Sequence, residues 1–296
     1  GKKVFVACAN EFVPCVLELG GKNPAIVFED SNLENAAHGL VWSAYKNSGQ
    51  VCSSTCRVYV QKSVKDKFVE KCLELVKRLK QGDPLDPDTE VGSLTTERQL
   101  QKVEAMVRNA ESVWAKILCG WKRRADLAGF FYEPTILLAP SNKIEIMQEE
   151  VFGPVMPVLE FESEDEAVRY ANDTRYGLTA SIWTKDERRA ERVARQIRAG
   201  TITINEATYT YALCQTPWGG FGESGIGRTH SRIGVLELTQ PQHIHINHSA
   251  NMKSLWWFPY DELSIKQTLA FHDWMFKGSV SGFLRFVRSL DFGRLY

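Results

Sequence analysis

Short apolar segments alternate with helical patterns along most of the chain, and this alternation constrains the fold more than any other feature. Residues 24–28, 57–60 and 180–184 are rich in β-branched and aromatic side chains, as expected of buried strands. Residues 31–45 begin with capping-box spacing and then repeat their apolar side chains at helical period. Strands separated by helices form parallel sheets covered on both faces. The sequence therefore predicts an α/β fold with a mostly parallel sheet and helices on both faces.

Two adjacent glycines follow a further predicted strand, residues 14–19. Gly20 and Gly21 can adopt backbone conformations that are closed to other residues, so the strand can end abruptly there. Glu18 is then left near a cleft. The alternative is a solvated glutamate at a strand end, and the local sequence leaves both interpretations open.

A cysteine lies at the junction between a predicted helix and the strand at residues 57–60. Gly49 is a suitable helix stop, and Cys52 follows it in the segment GQVCSS, residues 49–54. A thiolate is a soft nucleophile for an electrophilic carbonyl carbon, provided that its pKa is lowered or a base lies close. A lone cysteine is more often a buried structural residue. Cys52 by itself therefore predicts no activity.

Four segments, in order, resemble motifs of the aldehyde dehydrogenase superfamily. They are LELGGK at 17–22, GQVCSS at 49–54, EEVFGP at 149–154 and PWGGFGESG at 217–225. In that family the first segment carries a general-base glutamate and the second a nucleophilic cysteine, while the third touches the nicotinamide ribose. The agreement in order makes the resemblance strong.

The resemblance implies oxidation of an aldehyde to a carboxylic acid, with NAD or NADP as the hydride acceptor. Cys52 would add to the aldehyde carbonyl, and its own backbone N–H is the local donor for the oxyanion. Glu18 would then take a proton from the water that hydrolyses the thioester.

Further site residues also follow from the resemblance. Glu150 would accept hydrogen bonds from the nicotinamide ribose, and Phe152 would pack against the nicotinamide ring. Gly1, as the last glycine of a cofactor-binding turn, and Leu19 are assigned to the same cofactor site. The aldehyde pocket is expected to include two more residues, Asn205 and Trp218.

The resemblance also divides the chain. Family members begin with a long region that holds most of the dinucleotide-binding fold and an asparagine that donates to the oxyanion, and we expect this region to precede Gly1. The expected segments are a remnant of the cofactor domain (1–19), a catalytic α/β domain (20–239), an oligomerisation strand that makes the protein a homo-oligomer (240–250) and an aromatic, helical tail (251–296).

The tail combines aromatic residues with arginines, which permits two interpretations. It lies in a membrane interface, or it packs on its own subunit or a neighbour. An irregular apolar face and a neutral chain favour packing.

Composition excludes several kinds of partner. The 36 basic and 36 acidic residues give a net charge of zero, which provides no electrostatic case for nucleic acid. Seven cysteines show neither zinc nor disulfide spacing, so no metal site is predicted. The odd count, without a recognisable signal peptide, favours a reducing intracellular compartment such as the cytoplasm.

Two other functions stay open. Cys52, acylated by activated esters and assisted by Glu18, would hydrolyse esters without a cofactor. Alternatively the chain is a catalytically silent truncated product that pairs with full-length relatives through residues 240–247.

Overall fold

Nine β-strands are found in the computed structural model, which describes residues 1–248, 254, 257–258 and 260–290. In chain order they are β1 (Leu17–Glu18), β2 (Pro24–Val27), β3 (Arg57–Gln61), β4 (Lys116–Cys119), β5 (Thr135–Leu138), β6 (Val155–Phe161), β7 (Thr179–Trp183), β8 (Thr201–Ile204) and β9 (Gly225–Ile226). Seven of them form one sheet in the order β4-β5-β6-β3-β2-β7-β8. All neighbours in it are parallel except β4 and β5. The predicted mostly parallel sheet is confirmed.

Helices follow most of the strands. Within the described residues the α-helices are α1 (Lys2–Asn10), α2 (Leu33–Tyr45), α3 (Lys65–Val76), α4 (Glu97–Ser112), α5 (Glu145–Gln148), α6 (Glu164–Asn172), α7 (Glu187–Ala194), α8 (Ser231–Glu237), α9 (Glu262–Lys277) and α10 (Val280–Ser289). Successive strand residues face opposite sides, so Ala25 and Val27 join one core with α2 and α3. Ile26 joins the other core, with helices α4 to α7. Helices therefore cover both faces, as predicted.

The predicted strand at 14–19 is only two residues long and does not belong to the large sheet. Leu17 and Glu18 pair antiparallel with Ile226 and Gly225. A side chain at Gly225 would place its Cβ 2.1 Å from the Leu17 carbonyl oxygen, so this pairing requires glycine there. The pairing joins two of the family-like segments and positions Glu18.

A fully buried arginine connects three parts of the larger unit. Arg57, the first residue of β3, is 0% exposed. Its guanidinium donates hydrogen bonds to the carbonyl oxygens of Lys22 (2.8 Å), Tyr170 (3.2 Å) and Ala171 (2.8 Å). The last two carbonyls lie in the final turn of α6, where a cation is favoured by the helix dipole. Arg57 thus fixes the segment after Glu18 to β3 and α6.

The chain divides into two compact units, Gly1–Gln240 and Pro241–Tyr296. In the second, α9 and α10 pack through an aromatic cluster in which the Trp274 and Phe283 ring centroids are 5.0 Å apart. The helical tail is thereby confirmed. Among the described residues no helix is long and apolar enough to cross a membrane.

Residues 240–248 form no strand within the described chain. The family resemblance predicts that this segment forms a strand by pairing with the sheet of a partner subunit. Homo-oligomerisation through it therefore stays a prediction. Parts of the predicted strand and tail lie outside the described residues: 249–253, 255–256, 259 and 291–296.

We expect Arg57→Met to lower the free energy of unfolding by about 2–4 kcal/mol, because three buried carbonyl groups lose a charged donor. Urea unfolding of the chain measures this difference. Arg98→Met, at an exposed position of α4, is the matched control and should change stability by less than about 0.5 kcal/mol. Equal stability of the two variants would contradict the role of Arg57.

Candidate active site

The segment that carries Cys52 begins with a sharp reversal of the chain. After α2, Asn47, Ser48 and Gly49 adopt left-handed φ angles of 51°, 57° and 71°. A side chain at Gly49 would place its Cβ 2.2 Å from the carbonyl oxygen of Gly153. Gly49 therefore permits close packing of the GQVCSS segment against the EEVFGP segment.

Asn23 holds the Cys52 segment in place. Its side-chain Nδ2 donates hydrogen bonds to the carbonyl oxygens of Cys52 (2.8 Å) and Ser54 (2.7 Å). Its Oδ1 accepts from the backbone N–H of Thr179 at 3.1 Å, at the start of β7. Asn23 is 3% exposed, so these bonds form away from water. Sequence analysis missed this residue, because an asparagine before a buried strand is no specific signal.

A cluster of hydroxyl groups supports the same segment from α2. The Ser43 hydroxyl contacts the hydroxyls of Thr55 (2.8 Å) and Thr208. The Thr208 hydroxyl also donates to the carbonyl oxygen of Ser53 at 3.3 Å. The residues that follow Cys52 are thus joined to α2 and to the loop after β8.

Glu18 is oriented by the PWGGFGESG segment and the residues after it. One carboxylate oxygen accepts from the indole N–H of Trp218 at 3.1 Å, and the other accepts from the Thr229 hydroxyl. Trp218 and Thr229 are themselves paired through both backbone groups, at 2.8 and 2.7 Å. The side chain of Glu18 is exposed, but its direction is fixed by these two donors.

The pKa of the Cys52 thiol reports its surroundings. Burial raises this pKa most, and the negative charges of Glu18 and Glu150 raise it further. Backbone N–H groups of Ser53 and of Cys52 itself oppose the shift because they favour the thiolate. The two glutamates therefore lie within electrostatic range of the sulfur.

Three predicted cofactor residues line one open cleft of about 620 Å³: Gly1, Leu19 and Glu150. A Cβ at Gly1 would lie 2.3 Å from Leu19 Cδ1, and one at Gly20 would lie 2.2 Å from a Glu150 carboxylate oxygen. The two glycines thus leave room for the Leu19 and Glu150 side chains beside the backbone. The volume lies in the range of small-molecule sites.

The two adjacent glutamates of the EEVFGP segment have different surroundings. Glu149 forms an ion pair with Arg175 at 2.5 Å, which lowers its pKa. Glu150 accepts a hydrogen bond from the Gly21 N–H at 2.9 Å, and burial raises its pKa. Only Glu150 lines the cleft.

Phe152 lies outside the residues that line this cleft. Its backbone has a left-handed φ of 54°, which is uncommon for an aromatic residue. The Gln99 amide donates to the carbonyl oxygens of Val151 and Phe152, both at 2.8 Å, and so holds this conformation. Its role against the nicotinamide stays a prediction.

The two predicted pocket residues have clear local roles. The Asn205 amide donates to the Thr184 carbonyl (2.8 Å) and accepts from the Thr184 N–H (3.0 Å), which joins the ends of β7 and β8. Trp218 is 4% exposed and contacts Glu18. Their contact with an aldehyde stays a prediction.

Behind the Cys52 segment lies a buried lysine that sequence analysis did not single out. Lys22 is 1% exposed, and its ammonium has no hydrogen-bond partner among the described residues. Burial lowers its pKa to about 8, while the charges of Cys56 and Glu150 act in the opposite direction. No cluster of metal-ligating side chains occurs in the part of the chain that the structure describes.

Comparison with known proteins agrees with this geometry. The sequence model of the aldehyde dehydrogenase family matches residues 1–244. The chain belongs to the aldehyde dehydrogenase family.

Curated relatives include betaine aldehyde dehydrogenases. That of Bacillus subtilis is 41% identical over 250 residues, which cover 83% of this chain and 51% of that protein. That of Mesorhizobium japonicum is 39% identical, with the same coverage. The chain therefore spans about half the length of the curated relatives it matches.

Solved structures of this family share the fold. Betaine aldehyde dehydrogenase from Staphylococcus aureus, solved in complex with NAD+, has a TM-score of 0.83 and 40% identity, covering 88% of this chain and 52% of that one. An NAD-dependent aldehyde dehydrogenase from Sinorhizobium meliloti has a TM-score of 0.83 and 35% identity, covering 87% and 50%.

We expect Lys22→Met to raise the free energy of unfolding at pH 7 by about 3 kcal/mol, because it removes a charge whose burial lowers its pKa from 10.5 to about 8. At pH 7 the amine is charged in both the folded and the unfolded chain, so folding bears the full free-energy cost of burying the charge. Since the folded chain loses its proton first, this advantage should shrink as the pH rises from 8 to 10.5. Urea unfolding against pH measures it, and a pH-independent difference would contradict the assignment.

We expect Glu18→Gln to accelerate alkylation of Cys52 by iodoacetamide at neutral pH. The substitution removes a negative charge that raises the Cys52 pKa, so the thiolate fraction should increase. Site-resolved mass spectrometry follows the reaction, with the exposed Cys214 as internal reference. Slower alkylation would instead indicate that Glu18 deprotonates the thiol.

Proposed function

We propose that this chain carries the catalytic machinery for NAD(P)-dependent oxidation of an aldehyde to a carboxylic acid. The observation that carries the proposal is that Cys52, whose segment Asn23 holds, lies within electrostatic range of Glu18, whose carboxylate is oriented by Trp218 and Thr229. Family membership supports it.

Cys52 acts as the nucleophile. The Cys52 thiol first loses its proton to solvent, and the thiolate then adds to the aldehyde carbon, forming a thiohemiacetal whose oxygen carries the negative charge. The backbone N–H of Cys52 is the local donor for that oxygen, and the hydrogen bonds of Asn23 to the Cys52 and Ser54 carbonyl groups support this role by holding the segment in one conformation. Preformed donors stabilise such a charge without the cost of reorganisation.

Glu18 acts as the general base in the second half of the reaction. Loss of hydride from the thiohemiacetal carbon leaves a thioester on Cys52. Glu18 takes a proton from water, the hydroxide attacks the thioester, and the thiolate leaves as the carboxylic acid is released. The donors from Trp218 and Thr229 orient the carboxylate for this step.

The described residues fit the nicotinamide cofactor. Gly1, Leu19 and Glu150 line one open cleft, where the Glu150 carboxylate could accept hydrogen bonds from ribose hydroxyls. We assign these residues, with Phe152, to holding it. When bound, the nicotinamide would supply the hydride acceptor.

Two readouts test this function in the purified chain. With NAD+ and a panel of aldehydes, we expect NADH absorbance to increase, and this increase should disappear in Cys52→Ser. In Glu18→Gln we expect a burst of one NADH per Cys52, followed by steady-state NADH formation about 10²-fold slower than in the unsubstituted chain. General base catalysis of thioester hydrolysis contributes a factor of this size.

Other outcomes separate the alternatives. Hydrolysis of p-nitrophenyl acetate without NAD+, lost in Cys52→Ser and unaccompanied by aldehyde oxidation, would establish the cofactor-free esterase instead. A folded chain that shows neither activity but associates with a full-length relative would establish the silent partner.

A further inference from the structure

The loop after β8 contacts the end of α2 through a lysine held between two aromatic rings. The Lys46 ammonium lies 4.7 Å from the centroid of the Trp42 ring and 4.6 Å from that of Tyr211. It also donates a hydrogen bond to the Tyr211 hydroxyl at 2.7 Å. We call Trp42, Lys46 and Tyr211 the lysine cage.

The lysine cage lies beside the Cys52 segment. Ser43 of α2 contacts Thr208, and the Thr208 hydroxyl donates to the carbonyl of Ser53, the residue after Cys52. Lys46 follows Ser43 by three residues, about 4.5 Å along the helix axis, and Tyr211 follows Thr208 by three. Two contacts therefore join the C-terminal end of α2 to the loop after β8. The first, between Ser43 and Thr208, adjoins Ser53, and the second, between Lys46 and Tyr211, lies about one helical turn further along α2.

The cage is accessible and carries an unbalanced charge. Trp42 is 46% exposed and Tyr211 43% exposed, while Lys46 is half-buried. No carboxylate of the described residues forms an ion pair with Lys46. Glu90 lines the adjoining cavity with Lys46 and Arg78, but its carboxylate accepts a hydrogen bond from the Lys80 N–H. Lys46 and Arg78 together outweigh Glu90, so the residues that line this cavity carry a net positive charge.

A pair of aromatic rings at this spacing is a typical recognition site for a cation, including a quaternary ammonium group. Here the rings already hold the ammonium of the chain itself. A cationic molecule would have to displace Lys46 and would be repelled by it. An anionic group would instead meet an unpaired ammonium fixed in direction by two rings and a hydrogen bond.

We propose that Lys46 sets the charge preference at the Cys52 site, favouring reactants that carry an anionic group and disfavouring quaternary ammonium compounds. This inference deepens the proposed function, on which its aldehyde consequence rests: the preferred aldehyde carries a carboxylate or similar acid group. The betaine aldehyde dehydrogenases to which the chain is similar are named for a trimethylammonium aldehyde.

The first test needs no catalysis. Cys52 is modified with two methanethiosulfonates of similar size, one bearing a sulfonate and one a trimethylammonium group, and site-resolved mass spectrometry gives both rates. In Lys46→Met the ratio of the anionic to the cationic rate should fall about fivefold or more, as expected for loss of one near-surface charge interaction. Comparison with the unsubstituted chain cancels the constant influence of Glu18 and Glu150.

Lys122→Met is the matched control. Lys122 also lies over an aromatic ring, 5.3 Å from the centroid of Trp121, but between β4 and β5. Its substitution should leave the ratio unchanged. A ratio that is the same in Lys46→Met and in the unsubstituted chain would overturn the proposal.

The second test compares aldehydes in matched pairs through kcat/KM. Succinic semialdehyde is paired with its methyl ester, and betaine aldehyde with its neutral isostere 3,3-dimethylbutanal. The anionic member of the first pair and the neutral member of the second should be preferred, and Lys46→Met should weaken both preferences. A preference for betaine aldehyde over its isostere would overturn the proposal. If no aldehyde is oxidised, the proposed function fails, and the reagent ratio at Cys52 still decides the role of Lys46.

Discussion

The geometry of the site depends on the side-chain amide of Asn23. Its three hydrogen bonds join the first residue before β2 to the Cys52 segment and to the start of β7, all in a buried environment. Buried polar groups are costly when left unpaired, so these bonds specify one arrangement of the segment rather than many. Cys52 is thereby placed at the edge of the sheet where the parallel strands β2, β3 and β7 begin.

Electrostatics around that edge are balanced between opposing charges. Glu18 and Glu150 raise the pKa of Cys52, while backbone N–H groups favour its thiolate. The buried ammonium of Lys22 interacts with Glu150 and Cys56 from behind the segment. The groups around Cys52 therefore act on the pKa of its thiol in opposite directions.

Several features of the fold and site follow from local sequence. Apolar segments alternating with helical patterns predicted the mostly parallel sheet covered on both faces. This was possible because helices and buried strands leave different patterns of apolar residues in the sequence. The glycines around Glu18 and Cys52 predicted sharp changes of direction, and the structure shows their cause at Gly49, which packs against Gly153. What local patterns did not predict was Asn23 and Arg57, since each acts through backbone carbonyls contributed by distant segments.

The sequence by itself determined the class of fold and, through its resemblance to a family, the two segments that carry the candidate residues Cys52 and Glu18. Only the tertiary structure decided that β1 pairs with β9, that Trp218 and Thr229 orient Glu18, and that Lys46 lies between Trp42 and Tyr211. The physical reason is separation along the chain. Periodicity and turn residues record interactions between neighbours, whereas these contacts join segments more than 150 residues apart and exist only once the sheet and its helices have packed.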